Sequence, residues 1–276
     1  MATVTEAGSA NPERTSESLR TIRVAAVGGT PMTYIAVTGL SHVGLVRDSN
    51  EDSLVVGPWT LCTTQTESPQ TLVFPVGTPL VVAVADGLGG HPGGELASSL
   101  VVRLLARAGP SLDGEGPIRD VLEECNRAVY AAAAGNPHLT TMGTTVAGLV
   151  ITKEQVLMFN VGDSRVYLVV PDGLRQVSVD DRPPTGGALS QHTVLQTLGG
   201  NYEFTPVEAH LSSTPLSTDA CYLVCTDGLS DLVPTDKLAR ILHDHQDGRA
   251  AFELWKAAIE AGGPDNVTLA VTRLST

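Results

Sequence analysis

From Tyr34 onward, short apolar runs alternate with turns rich in Gly, Asp and Pro. Leu80-Val81-Val82-Ala83-Val84-Ala85 is an unbroken apolar run that stops at Asp86, the pattern of a strand buried on both faces. Leu96, Leu100, Val101, Leu104 and Leu105 recur at helical spacing, as do Ile118, Val121, Leu122, Cys125 and Val129. Pro117 predicts the first position of the second helix. Between 144 and 179 the period shortens. Thr144–Ile151 and Val156–Val161 are joined by the polar turn 152–155, and Val166–Val170 and Leu174–Val179 by Pro171-Asp172-Gly173; together they predict a meander of antiparallel strands. Residues 180–200, with Pro183-Pro184, Gly186-Gly187 and Gly199-Gly200, read as a loop or small flap. A strand at 220–226, helices near 235–246 and 249–261, and a last strand at Val267–Thr272 complete the pattern. Strands clump and helices come in pairs, which predicts an α+β fold with antiparallel sheets.

Composition narrows the function classes. The chain has 276 residues, 42% of them apolar, enough for one large domain or two small ones. The first 30 residues are rich in Ala, Thr, Ser, Glu and Gly and read as a flexible tail, leaving 31–276 as the domain. A net charge of −13 argues against nucleic-acid and anionic-membrane binding. No apolar run is long enough to span a bilayer and the N-terminus lacks a signal-peptide core, so a cytoplasmic location is expected. Cys221 and Cys225 have strand spacing inside an apolar run and read as buried free thiols, which suits a reducing compartment.

The remaining signal is a series of carboxylates at turns. In order they are Arg47-Asp48-Ser49-Asn50-Glu51-Asp52, Ala85-Asp86-Gly87-Leu88-Gly89-Gly90, Gly162-Asp163-Ser164-Arg165, Thr226-Asp227-Gly228 and Gly263-Pro264-Asp265-Asn266. An acid at the end of a buried strand is costly unless something positive sits on it. Several such acids without as many basic partners suggest a divalent metal, since Mg²⁺ and Mn²⁺ take carboxylates, backbone carbonyls and waters. Taken singly, an Asp before Gly caps a turn more often than it binds metal; the set carries the signal.

The order of these motifs, with Met142-Gly143-Thr144-Thr145 and Asp265-Asn266-Val267-Thr268, resembles the PPM family, the protein phosphatase 2C-like metal-dependent Ser/Thr phosphatases. The likeness runs from about Tyr34 to the C-terminus, and the bacterial branch is nearest because His91 follows the double glycine. The resemblance implies a four-layer α-β-β-α sandwich, two antiparallel sheets flanked by helix pairs. It implies two Mn²⁺ or Mg²⁺ ions and a third, weaker one. Asp86 would be the bridging, catalytic ligand, and the Gly87 carbonyl would bind the first ion. Asp227 and Asp265 would bind the second, Glu51 with Asp52 would hold metal-bound waters, and Asp163 would join Asp227 at the third. Arg47 would grip the substrate phosphate, a task its planar fork suits better than lysine. The implied partners are phosphorylated Ser/Thr proteins, with a Ser/Thr kinase or its substrates among them, acted on by a monomer.

The chain departs from the family in two places. Leu88 stands where some members carry a histidine, leaving His91 or water to protonate the leaving group. The flap is short, and Arg182, Gln191 and His192 are its groups able to meet a phosphopeptide. Other enzyme classes fit worse. No cysteine is followed at the required spacing by arginine, and the Gly-rich stretch 87–94 lacks the lysine of a P-loop. The Ser of Gly162-Asp163-Ser164 lacks the Asp-x-x-His of the esterases that use that motif. The alternative from a different class is a regulatory phosphopeptide-binding domain of the same fold without turnover.

Overall fold

The apolar runs become the central strands of two sheets. In chain order the elements are β1 Tyr34–His42, β2 Ser53–Val56, β3 Trp59–Cys62, β4 Gln70–Pro75, β5 Leu80–Ala85, α1 Gly94–Ala108, α2 Glu115–Ala133, β6 Gly143–Thr144 and β7 Val146–Ile151. There follow β8 Gln155–Val161, β9 Arg165–Val170, β10 Gly173–Gln176, β11 Leu198–Gly199, β12 His210–Pro215 and β13 Cys221–Cys225. The chain closes with α3 Asp227–Ser230, α4 Thr235–Asp244, α5 Asp247–Glu260 and β14 Val267–Ser275. The computed structural model describes residues 33–89, 92–184 and 193–275. The expected tail, His91 and flap residues 185–192 lie outside them.

One sheet has the order β10-β9-β13-β14-β1-β4, the other β12-β8-β7-β5-β2-β3, and β11 pairs with β6 in a small third ladder. Every named pairing is antiparallel. Three apolar cores make the layers. Val82, Val84, Leu149 and Met158 of one sheet meet Ile35, Val37, Val224 and Ala270 of the other. Val81, Ala83 and Ala85, on the opposite face of β5, pack under Val101, Leu105 and Leu122 of α1 and α2. Leu223 and Val271 pack under Leu238, Leu242 and Leu254 of α4 and α5. A strand covered on both sides has no polar face, which is why β5 reads as a continuous run. Burying each such side chain contributes about 1.5–3 kcal/mol. The architecture is the four-layer α-β-β-α sandwich.

Two details differ from the sequence reading. The expected meander is two hairpins in different sheets: β7-β8 belong to one, β9-β10 to the other. The chain crosses between them at 162–164, where Gly162 has φ 101°, a left-handed geometry that glycine adopts without steric penalty. Pro117 is the third residue of α2, which starts at Glu115. The whole first turn lacks intrahelical partners for its N–H groups, so the missing donor costs nothing there either. The four cysteines are unpaired, and Cys221 and Cys225 are buried as expected.

Candidate metal centre

Four chain segments reach the same end of the sandwich. Asp86 follows β5, Asp227 follows β13, Asp265 precedes β14 and Glu51 precedes β2. Pairing brings these ends level: Ser53 lies opposite Ala85, and Cys225 opposite Leu269. A cleft of about 810 Å³ opens there, lined by Arg47, Glu51, Asp86, Gly87, Asp163, Asp227 and Asp265. Thr193, Val194, Leu195 and Asn201 form its other wall. Of the expected metal ligands and the phosphate arginine, Asp52 is the one that does not line it. Asp52 is fully buried behind the cleft, where it accepts a 3.0 Å hydrogen bond from the Thr226 hydroxyl.

The backbone around the acids is tightly fixed. The Asp86 carbonyl accepts from the Thr144 hydroxyl at 2.7 Å and from the Thr145 N–H at 2.9 Å. The Asn266 side chain ties two loops together: its amide donates to the Val43 and Ser49 carbonyls, both at 2.9 Å, and its oxygen accepts from the Glu51 N–H at 2.8 Å. Arg47 donates to Asp265 at 2.8 Å on the cleft rim. Sequence reasoning gave Asn266 no role; its only signal was its place beside Asp265.

Among the described residues, two buried carboxylate oxygens, Glu51 Oε2 and Asp52 Oδ1, have no hydrogen-bond partner. Such orphans are rare and costly, and point to a missing positive partner. The protonation behaviour agrees. Burial, then the charges of Asp52, Asp227, Asp265 and Asp163, raises Asp86 well above the carboxylate range. Burial pushes Asp52 up to about 7 against the hydrogen bonds from Thr268 and Thr226. Burial, then Asp163 and Asp231, pushes Asp227 up to about 6. Burial and then Glu95 raise Glu51. These are acids crowded together without enough positive charge.

The residues fit a pair of hard divalent ions. Among the described residues no three His, Cys, Asp or Glu side chains form a ready-made cage. Mg²⁺ does not require one: it keeps several waters and is held by one or two carboxylates and carbonyl oxygens. Asp86, Asp227 and Asp265, with the Gly87 carbonyl, offer that donor set, and Glu51 and Asp52 stand behind it.

Arg182, expected to meet a phosphopeptide, points into the acidic cluster. Its Nε donates to Asp163 at 2.8 Å, and its Nη1 and Nη2 donate to the two oxygens of Asp231 at 3.0 and 2.6 Å. Arg165 clamps Asp180 in the same network, donating from Nη2 at 2.6 Å. Asp163, expected to help bind a third ion, is the residue that Arg182 Nε contacts. Gln191 and His192 lie outside the described residues.

The raised carboxylates predict how the metal-free chain responds to pH. The folded values of Asp52 and Asp227, about 7 and about 6, exceed the ordinary 3.8, so the folded state holds protons that the unfolded state releases. The stability that these two groups contribute is therefore full below pH ~4, falls as pH rises toward ~7 and then levels off. Melting temperatures in chelator between pH 4.5 and 8 are expected to decline, and added Mn²⁺ to remove the decline. A rising profile in chelator contradicts this reading.

The comparisons with known proteins agree with this geometry. Residues 71–250 match the family model described as protein phosphatase 2C, and the chain belongs to that family. It is 31% identical to the serine/threonine protein phosphatase PstP of Mycobacterium tuberculosis, over 84% of this chain and 43% of that protein. The chain thus spans less than half the length of that relative. It is 31% identical to the serine/threonine phosphatase stp of Listeria welshimeri, over 68% of this chain and 82% of that protein. Among solved structures it resembles the catalytic domain of PstP in complex with two manganese ions. The TM-score is 0.73 at 28% identity, covering 88% of this chain and all of that one.

Proposed function

We propose that this chain hydrolyses phosphoserine and phosphothreonine in proteins with two Mn²⁺ or Mg²⁺ ions held at the cleft. The observation that carries this reading is the convergence of Glu51, Asp86, Asp227 and Asp265, from both sheets, on one cleft that leaves a buried Glu51 oxygen unpaired. Such a pair of ions supplies Lewis acidity toward the phosphoryl oxygens and a water nucleophile at neutral pH. Asp86, the Gly87 carbonyl, Asp227 and Asp265 would hold the pair. Asp52 fixes Thr226, the residue that precedes Asp227, through the 3.0 Å bond. Arg47 is 40% exposed and already held at the rim by Asp265, placed to orient an incoming phosphate. Leu88 has no proton to give the leaving alkoxide, which leaves that step to His91 or to water.

The substrates would be proteins phosphorylated by a Ser/Thr kinase, the kinase itself included. One chain supplies every residue named, which supports action as a monomer. Unpaired cysteines support a reducing, cytoplasmic setting. No described helix is long and apolar enough to cross a membrane.

The test is release of phosphate from a phosphothreonine peptide with millimolar Mn²⁺, with Mg²⁺ and with chelator. Turnover that requires the metal is expected. Arg47→Ala should chiefly raise KM, by roughly 10- to 150-fold, since one charged hydrogen-bonding contact contributes about 1.5–3 kcal/mol. Binding of the peptide without release of phosphate under any metal would instead identify a regulatory binding domain.

A further inference from the structure

Arg182 reaches both Asp163 and Asp227, the two acids expected to share a third ion. Three carboxylates surround it: Nε on Asp163 at 2.8 Å, the fork on Asp231 at 2.6 and 3.0 Å, and Nη2 at 3.5 Å from Asp227. Its side chain is 14% exposed and that of Asp163 only 3%. All three guanidinium nitrogens thus face a carboxylate, and the pair on Asp231 has the bidentate geometry that makes such contacts strong. The bonds to Asp231 and Asp163 outweigh burial and raise the arginine's pKa, so it is charged at any working pH.

We propose that Arg182 is the built-in counter-ion of Asp163, and that its guanidinium keeps a divalent cation out of the Asp163 side of the cleft. The inference rests on the two-ion reading above and places no third ion at Asp163. A cation at Asp163 would have to displace Nε while the fork remains clamped on Asp231. Releasing both would leave Asp163, Asp227, Asp231 and Asp180 close together, with Arg165 on Asp180 and Asp231 and Gln176 on Asp180. An added ion therefore gains little at Asp163 while Arg182 is present. Without Arg182, the same carboxylates form an oxygen-rich, negative recess of the kind Mn²⁺ binds. The contact also ties residue 182, where the flap begins, to the crossing between the two sheets.

The experiment counts Mn²⁺ bound per chain by the loss of the free-ion electron paramagnetic resonance signal on titration. Arg182→Ser is expected to bind one ion more than the unaltered chain, and Arg182→Ser with Asp163→Asn to return to the unaltered number. Equal counts for Arg182→Ser and the unaltered chain overturn the proposal. The difference decides it whatever the starting number; a starting number of zero overturns the two-ion reading instead. Should Arg182→Ser fail to fold, Asp163→Asn alone decides: an unchanged count supports the proposal, and loss of one ion shows that Asp163 is a metal ligand and overturns it.

Discussion

Replacing Asp86 with alanine is expected to lower kcat on a phosphothreonine peptide by about 10³-fold or more, and at the same time to raise the melting temperature of the metal-free chain. The two effects have one cause. The Asp86 carboxylate is crowded by Asp52, Asp227, Asp265 and Asp163, so in the absence of ions its removal relieves burial and repulsion. The backbone at that point is held by its own carbonyl, which accepts from Thr144 and Thr145 and does not need the side chain. With ions bound, the same carboxylate would be one of their donors at the cleft. Losing a ligand of that kind removes several kcal/mol of transition-state stabilisation, and about 4 kcal/mol corresponds to 10³-fold. Melting curves in chelator and in Mn²⁺, beside steady-state rates, separate this account from a folding defect. A variant less stable than the parent in chelator, or one that keeps most of its activity, contradicts it.

Gly228→Ala is expected to destabilise the chain by roughly 3 kcal/mol and to weaken metal binding together with stability. Gly228 is the second residue of α3, directly after Asp227. A methyl group there would run into the backbone carbonyl of Asn266 and lie 3.5 Å from Cβ of Asp265. No side-chain rotation relieves a clash with backbone, so α3 must move away from the 263–266 loop. That displacement separates Asp227 from Asp265, the two acids proposed to share an ion. For a domain of this size the loss corresponds to a fall in melting temperature of about 6–12 °C. Gly116→Ala is the control, because a methyl group at that position in α2 meets nothing within 4 Å. It should be neutral or stabilising by up to ~1 kcal/mol. Equal behaviour of the two variants would show that the close approach of α3 to the loop has no energetic weight.

How much of this was legible in the sequence depends on which residues carry a local signal. β5, α1, α2 and β13 were readable because they bury one or both faces and their apolar residues keep a clear period. β1 was readable only as the start of the domain. It buries Thr38 and Ser41, which pair with Thr71 at 2.8 Å and Thr268 at 2.7 Å, and polar residues matched across strands erase the apolar pattern. β4 and β12 lie at sheet edges and are half exposed, so their alternation is weak. The crossing at 162–164 looked like one more hairpin turn because sequence spacing does not reveal which sheet the next strand joins. In the site, the acids announced themselves by sitting at strand ends. The Arg182 contacts did not, since they join residues 19 and 49 positions apart and depend on how the loop after β10 folds back.

The central claim is that strand-end carboxylates from both sheets hold two metal ions at the cleft. Anomalous diffraction at the manganese edge from Mn²⁺-soaked crystals of this chain tests it most directly. The account predicts two peaks, one against Asp86 and the Gly87 carbonyl and the other against Asp227 and Asp265, both absent in Asp86→Ala crystals. Peaks elsewhere, or a cleft without manganese and with Arg47 still on Asp265, would contradict it.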